Sequence, residues 1–240
     1  MNVKAIIFDK DGTLMKFDSF WIEVTRRAVS DILIKLGRSD IPEDRMLKAL
    51  GVAGDRADID GLLCKGTYEQ IALAIGGILK EAGIAVSDPD IVKMTVCAYN
   101  NNANAGKIEP SCENIRGVLE RLKSIGIKLA VVTTDDHKIT QKCLETLKIA
   151  DLFETVYTDD GINPVKPDPW CASDFLKRFN IAAQNALMVG DTMTDMLFAR
   201  NAGIRAIGVG KDRKARERLL PYAEAVIPDI SYLTGIAEGE

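Results

Sequence analysis

The sequence predicts an α/β fold: a doubly wound parallel sheet with a second, helical domain inserted after its first strand. Three observations carry that expectation. From about residue 107 onward, short apolar runs alternate with helical stretches across brief connections, the pattern of parallel strands covered by helices on both faces. At the other end of the chain Ala5, Ile6, Ile7 and Phe8 form an apolar run, as in a strand buried on both faces. Between them, residues 16–106 carry only helical patterns, which an insertion into a loop of the sheet domain explains. The expected division is therefore 1–15 with 107–240 for the sheet domain and 16–106 for the insertion.

In chain order, Asp18 to Leu36 reads as an amphipathic helix. Asp18 or Ser19 serves as N-cap, Trp21, Val24, Ala28, Ile32 and Lys35 keep helical spacing, and Gly37 supplies the stop. A helix from Glu43 to Leu50 follows Pro42, which suits a first turn. Gly51 to Gly66 is rich in glycine and charge and reads as a loop with room for one short helix. Thr67-x-x-Gln70 is a capping-box signature opening a helix through Ala82, and Asp88 to Asn100 is the next. Asn100 to Gly106 is a polar linker. Helices are then expected over Ser111–Ser124, Lys138–Leu147, Pro169–Phe179 and Thr194–Ala202. They alternate with strands over Ile127–Val132, Val156–Thr158, Ala186–Val189 and Arg205–Val209, with Val226 on a final edge strand.

Composition narrows the function classes. The 240 residues are 47% hydrophobic and 28% charged, with net charge −4 and no basic stripe, which argues against nucleic acid as a partner. No apolar run approaches the ~18 residues of a membrane span. The first strand begins almost at once, leaving no room for a signal peptide. Five scattered cysteines without a C-x-x-C pair fit free thiols in a reducing cytoplasm. His137 is the only histidine, so H-E-x-x-H metalloprotease chemistry is excluded and a Ser-His or Cys-His mechanism has little to stand on. His137 itself reads as an exposed residue at a helix start.

The chemistry gathers at strand ends. Ligands of doubly wound sheets bind beyond the carboxyl ends of the strands. There the first strand presents Asp9 and Asp11 before Gly12, which permits a sharp turn. The strand Ile127–Val132 ends at Thr133 and Thr134, followed by Asp135 and Asp136. The strand Ala186–Val189 ends at Gly190 and Asp191, with Asp195 four residues on, and Lys166 lies in a proline-stiffened V-K-P-D-P loop. A pair of carboxylates at 4 Å repels by about 4 kcal/mol at an effective dielectric near 20. A hard divalent cation relieves that repulsion, and Mg²⁺ commonly sits on one or two carboxylates plus substrate phosphate.

These stretches resemble the signature motifs of the haloacid dehalogenase superfamily, most of whose members are phosphatases. D-K-D-G-T at Asp9–Thr13 is similar to its first motif, Thr133 to the second, Lys166 in K-P-x-P to the third, and G-D-T-M-T-D at Gly190–Asp195 to the fourth. The match covers residues 1–15 and roughly 107–210. The resemblance implies a Rossmann-like core, with the inserted helices as the cap that many members carry between the first and second motifs. It further implies that Asp9 is the nucleophile forming an aspartyl-phosphate, needing no activating base because a carboxylate is already ionised. Asp11 becomes general acid and then general base. Thr133 and Lys166 bind the phosphoryl group, with Gly12, Thr13, Thr134 and backbone N–H groups after Asp9 around the substrate. Mg²⁺ falls to Asp9, the Asp11 carbonyl and Asp191, with Asp195 on metal-bound water or orienting Lys166.

Within that resemblance, Asp11 argues against a dehalogenase, which has no leaving alcohol to protonate. D-D-G-I-N-P-V-K-P-D-P-W also looks somewhat like phosphonoacetaldehyde hydrolase, but that family carries alanine at the position of Asp11 and needs a cap lysine, for which Lys65 is the candidate here. A phosphomutase of the β-phosphoglucomutase kind would keep Asp11. The first motif with F-D-S-F-W is most similar to phosphoglycolate-phosphatase-like members, acting on a small phosphorylated metabolite. Two non-enzymes compete: a phospho-receiver, which is about half as long, and a phosphate-binding regulatory protein on this fold. A cap hinged at residues 14–18 and 103–109 could close over the strand ends, and Arg56 and Lys65 in its loop are the candidates for substrate selection. Oligomeric state has no signature.

Overall fold

The computed structural model describes residues 3–238. The chain divides into two compact units, one running from the N-terminus to Lys16 and resuming at Ile108, the other Phe17–Lys107. The first unit opens with strand β1 (Ala5–Phe8), every residue of which is buried. Past β1 the chain leaves beside the segment by which it returns: Lys16 N–H donates to Glu109 O, and Ser111 N–H to Leu14 O.

The second unit is helical, as its periodicity predicts. Helix α1 (Phe17–Lys35) buries Phe20, Val24, Ala28 and Ile32. Helix α2 (Glu43–Ala49) follows Pro42. In the stretch expected as a loop with one short helix, α3 (Leu62–Lys65) is that helix, while β2 (Val52–Ala53) and β3 (Arg56–Ala57) add a two-stranded antiparallel hairpin that was not expected. Two-residue strands are too short for a period-two pattern to register. Thr67 and Gln70 make both bonds of the predicted capping box, opening α4 (Tyr68–Glu81). Ser87 caps α5 (Asp88–Asn102), which runs two residues into the expected linker. Helices α1, α4 and α5 pack together, and the buried Tyr99 hydroxyl donates to Thr25 Oγ1 at 3.1 Å.

Back in the first unit come α6 (Ile115–Ser124), β4 (Lys128–Asp136), α7 (His137–Thr146), β5 (Thr155–Asp159), α8 (Trp170–Phe179) and β6 (Ala186–Gly190). They are followed by α9 (Met193–Ala202), β7 (Arg205–Val209), α10 (Arg213–Leu219), β8 (Ala225–Ile227) and α11 (Leu233–Glu238). Helix α6 starts four residues later than predicted because the Asn114 side chain, not Ser111, accepts the N-terminal N–H of Gly117. Helices α10 and α11 carry no sequence signal: the first is a charged run, the second only six residues long. His137 is exposed at the start of α7.

The six strands form one parallel sheet in the order β5-β4-β1-β6-β7-β8. Alternation along β1 divides the core between the two faces. Ile6 and Phe8 join Leu119, Leu129, Leu144 and Leu187 on one, while Ala5 and Ile7 join Ala130, Phe175, Met188 and Phe198 on the other. The direction of winding reverses between β1 and β6, the point at which such sheets open a crevice at their carboxyl ends.

The capping box is separable from the chemistry. Thr67→Ala should cost about 1 kcal/mol of stability, read by urea denaturation. A loss below about 0.2 kcal/mol would mean the box adds nothing beyond solvation.

Candidate active site

Asp9 follows Phe8 at the end of β1, where its N–H donates to Val189 O of β6. Strand alternation turns its carboxylate toward the face covered by α8 and α9. There it meets Lys166, whose Nζ lies 2.5 Å from Asp9 Oδ1 and 2.7 Å from Asp195 Oδ1. All three side chains are buried. Burial alone would depress the Lys166 ammonium, but the facing Asp195 and Asp9 carboxylates outweigh it and raise it. Asp195 is also held by α9: its Oδ2 accepts from Thr192 N–H and from Thr192 Oγ1, and Thr192 Oγ1 accepts from Asp195 N–H. Both Asp195 oxygens are thus engaged, one by Lys166 and one by Thr192. Gly190 makes room for it, since a Cβ there would overlap the Asp195 side chain.

Asp191 stands half-buried across from Asp9. Carboxylate oxygens of Asp9, Asp191 and Asp195 lie within 4.8 Å of one another. Burial pushes the Asp9 carboxyl up, with Asp195 and Asp11 adding to the shift against Lys166. Burial, then Asp9 and Asp195, push Asp191 well above the ordinary range. Lys166 is the ammonium that faces Asp9, and a further positive charge would offset the burial and the neighbouring carboxylates that push this carboxyl up. Hard oxygen donors crowded beyond their available counter-charge fit a divalent cation such as Mg²⁺. Asp9 and Asp191 would hold it, with Asp195 in the same group. The Asp11 carboxylate is not in this group.

Thr133 is buried in β4, which extends four residues beyond its predicted end with a register shift between Val132 and Asp136. Its Oγ1 accepts from Asp135 N–H at 3.3 Å, which leaves the hydroxyl proton for an outside acceptor. Thr134, expected near the substrate, is exposed. Gly12 and Thr13, expected around the substrate, also make contacts within the protein. Gly12 N–H donates to Met15 O, and Thr13 is fully buried with its hydroxyl 3.3 Å from Asp191 Oδ1. Gly12 has φ +77°, and a Cβ there would overlap the Asp191 carboxylate. In the other unit Arg56 is exposed at the hairpin, and Lys65 is exposed and paired with Asp60.

Lys10 and Arg218 escaped notice in the sequence, and Asp135 was placed at the rim without a role. Lys10 is fully buried, with Nζ 2.6 Å from Asp11 and 2.8 Å from Asp135. Burial alone would lower its ammonium, but Asp11 and Asp135 raise it. Burial raises Asp135 despite Lys10. Arg218 of α10 donates from Nη2 to Asp191 O at 3.1 Å. The only sequence signal was a lysine between two aspartates at the end of an apolar strand.

The profile of the haloacid dehalogenase-like hydrolase family matches residues 3–203. The chain belongs to this family. Among its relatives, a phosphoglycolate phosphatase of Psychrobacter arcticus is 27% identical over 217 residues, 87% of this chain and 84% of that protein. Pyrophosphatase PpaX of Bacillus velezensis is 28% identical over 243 residues, 98% of each chain. The fold matches a HAD phosphatase from Thermococcus onnurineus with TM-score 0.67 at 22% identity, covering 99% of each chain. It also matches CbbY from Rhodobacter sphaeroides in complex with phosphate, with TM-score 0.63 at 20% identity over 96% of each.

As a member of this family the chain should tolerate little at Gly12. Gly12→Ala combines a left-handed backbone, a strain of about 1–3 kcal/mol, with displacement of Asp191. The Mg²⁺ needed for half-maximal activity should rise about 10–100-fold. An unchanged requirement would mean that Asp191 does not hold the ion.

Proposed function

We propose that this hydrolase is a Mg²⁺-dependent phosphatase acting on a small phosphorylated metabolite, phosphoglycolate-like or a sugar phosphate monoester, through an aspartyl-phosphate. The observation that carries this reading is the buried Lys166 ammonium bridging Asp9 and Asp195, beside the Asp191 carboxylate. A carboxylate held on one oxygen at 2.5 Å by an ammonium is oriented and keeps its other oxygen for attack. Lys166 also supplies positive charge to a phosphoryl group arriving next to Asp9, and the Thr133 hydroxyl can donate to the same group.

Asp9 attacks phosphorus and the P–O bond to the leaving group breaks, with Asp11 delivering a proton to the departing oxygen. Asp11 then takes a proton from water, which attacks the aspartyl-phosphate, freeing phosphate and Asp9. When bound, Mg²⁺ would neutralise charge on the transferring phosphoryl group and on the facing carboxylates. Substrate choice is assigned to the helical unit, with Arg56 and Lys65 as candidates. The five cysteines, none of them in a disulfide, support a reducing cytoplasm. No helix among the described residues is long and apolar enough to cross a membrane.

The relatives named pyrophosphatase favour a second reading, in which the leaving group is itself phosphate. Comparing phosphoglycolate, sugar phosphates and pyrophosphate as substrates separates the two by kcat/KM.

Asp9→Asn should abolish turnover of every substrate without unfolding the chain. More than a few per cent of wild-type rate, with reversion by deamidation excluded, would reject Asp9 as nucleophile. Asp11→Asn should lose about 10²–10⁴-fold in kcat/KM on an alkyl phosphate and much less on p-nitrophenyl phosphate, whose leaving group needs little protonation. Ca²⁺ should inhibit, because its larger coordination number draws both Asp9 oxygens onto the ion. Full activity after metal stripping with EDTA would overturn the Mg²⁺ requirement.

A further inference from the structure

Lys10 lies on the opposite face of the sheet from Asp9. Alternation past the end of β1 turns it toward α7, where its stem runs beside Met15, with Nζ 3.8 Å from the sulfur, and near Cys143. None of its side chain is accessible. An apolar residue would fill this position without the cost of desolvating an ammonium. What the ammonium adds is pairing with two carboxylates, 2.6 Å to Asp11 Oδ2 and 2.8 Å to Asp135 Oδ2. Asp135 comes from the neighbouring strand β4, and its N–H donates to Thr133 Oγ1. One buried charge therefore ties the turn carrying Asp11 to the strand end carrying Thr133. Proton transfer needs only one carboxylate oxygen, so the pair through Oδ2 is compatible with Asp11 acting as an acid and base.

We propose that Lys10 and Asp135 are positioning residues for proton transfer: Lys10 holds the Asp11 carboxylate in its working orientation, and Asp135 holds Lys10. The inference rests on the reading of Asp11 as general acid and base given above. It separates from a merely structural role, because a residue acting only through Asp11 has nothing left to affect once Asp11 cannot transfer a proton.

Lys10→Met alone would leave two half-buried carboxylates without their shared counter-charge, and loss of folding would obscure its effect. The primary variant is therefore K10M/D135N, which removes one charge of each sign, and Asp135→Asn alone is the second. Activity is compared on an alkyl phosphate and on p-nitrophenyl phosphate, in the wild-type and Asp11→Asn backgrounds, with thermal melting as the check on folding. K10M/D135N should lose about 10–100-fold in kcat/KM on the alkyl phosphate, the scale of a misplaced catalytic group, and at most about threefold on p-nitrophenyl phosphate. Asp135→Asn should lose less, in the same pattern. In the Asp11→Asn background neither change should lower kcat/KM on the alkyl phosphate further. Equal losses on both substrates, or the same loss with and without Asp11, would overturn the inference. If Asp11→Asn discriminates between the substrates but the Lys10 and Asp135 variants do not, this inference alone falls. If Asp11→Asn does not discriminate, the role given to Asp11 falls, and the positioning role with it.

Discussion

Negative charge concentrated at one end of the sheet is the constraint to which the rest of this molecule answers. Asp9, Asp11, Asp135, Asp191 and Asp195 gather at the ends of β1, β4 and β6, and the ammonium groups buried against them are Lys10 and Lys166. Carboxylates removed from water need paired charge or donors. The two lysines divide the work by face: Lys166 serves Asp9 and Asp195 beneath α8 and α9, and Lys10 serves Asp11 and Asp135 beneath α7. Among the described residues, Asp191 has one weak side-chain donor, Thr13, and a carbonyl tethered by Arg218. It is the carboxylate that the protein's own cations satisfy least, which is the condition a metal ligand should meet.

The topology makes this concentration affordable. Because β1 lies centrally with β4 and β6 on either side, three neighbouring strand ends bring their side chains to one rim, although more than a hundred residues separate the first from each of the other two. Period-two alternation then sends Asp9 and Lys10 to opposite faces, so that adjacent residues serve different tasks without competing for the same partners. The apolar layers beneath, with Phe8 on one face and Ile7 on the other, exclude water from below and keep the ion pairs strong.

How much of this was legible in the sequence follows from what periodicity can carry. Strands of four or five fully apolar residues and helices with clear stripes were read within a few residues of their observed ends, and the order of motifs pointed to Asp9, Lys166 and Asp191. The short hairpin at Val52–Ala57 and the charged α10 left no trace, because two-residue strands and polar helices lack a period. That Gly12 and Thr13 lie against the Asp191 side chain was not legible, because sequence proximity to Asp9 does not say which way a side chain faces. Lys10 was hidden for a related reason. Charged residues at strand ends are ordinarily solvated, and only the register of β1 against β4 reveals that this one is enclosed.

Asp195 illustrates how stability and chemistry are joined here. Its carboxylate closes the N-terminus of α9 through Thr192 and at the same time fixes Lys166 against Asp9. Gly190 and Thr192 are therefore required by the helix start and by the lysine together. A helix capped by a residue with no second task could fray without consequence for the site. Here fraying of the first turn of α9 would release Lys166 and leave Asp9 facing Asp191 with less opposing charge. The electrostatic cost of that exposure in turn disfavours fraying. The site and the helix that frames it are stabilised by the same contacts, so loosening one loosens the other.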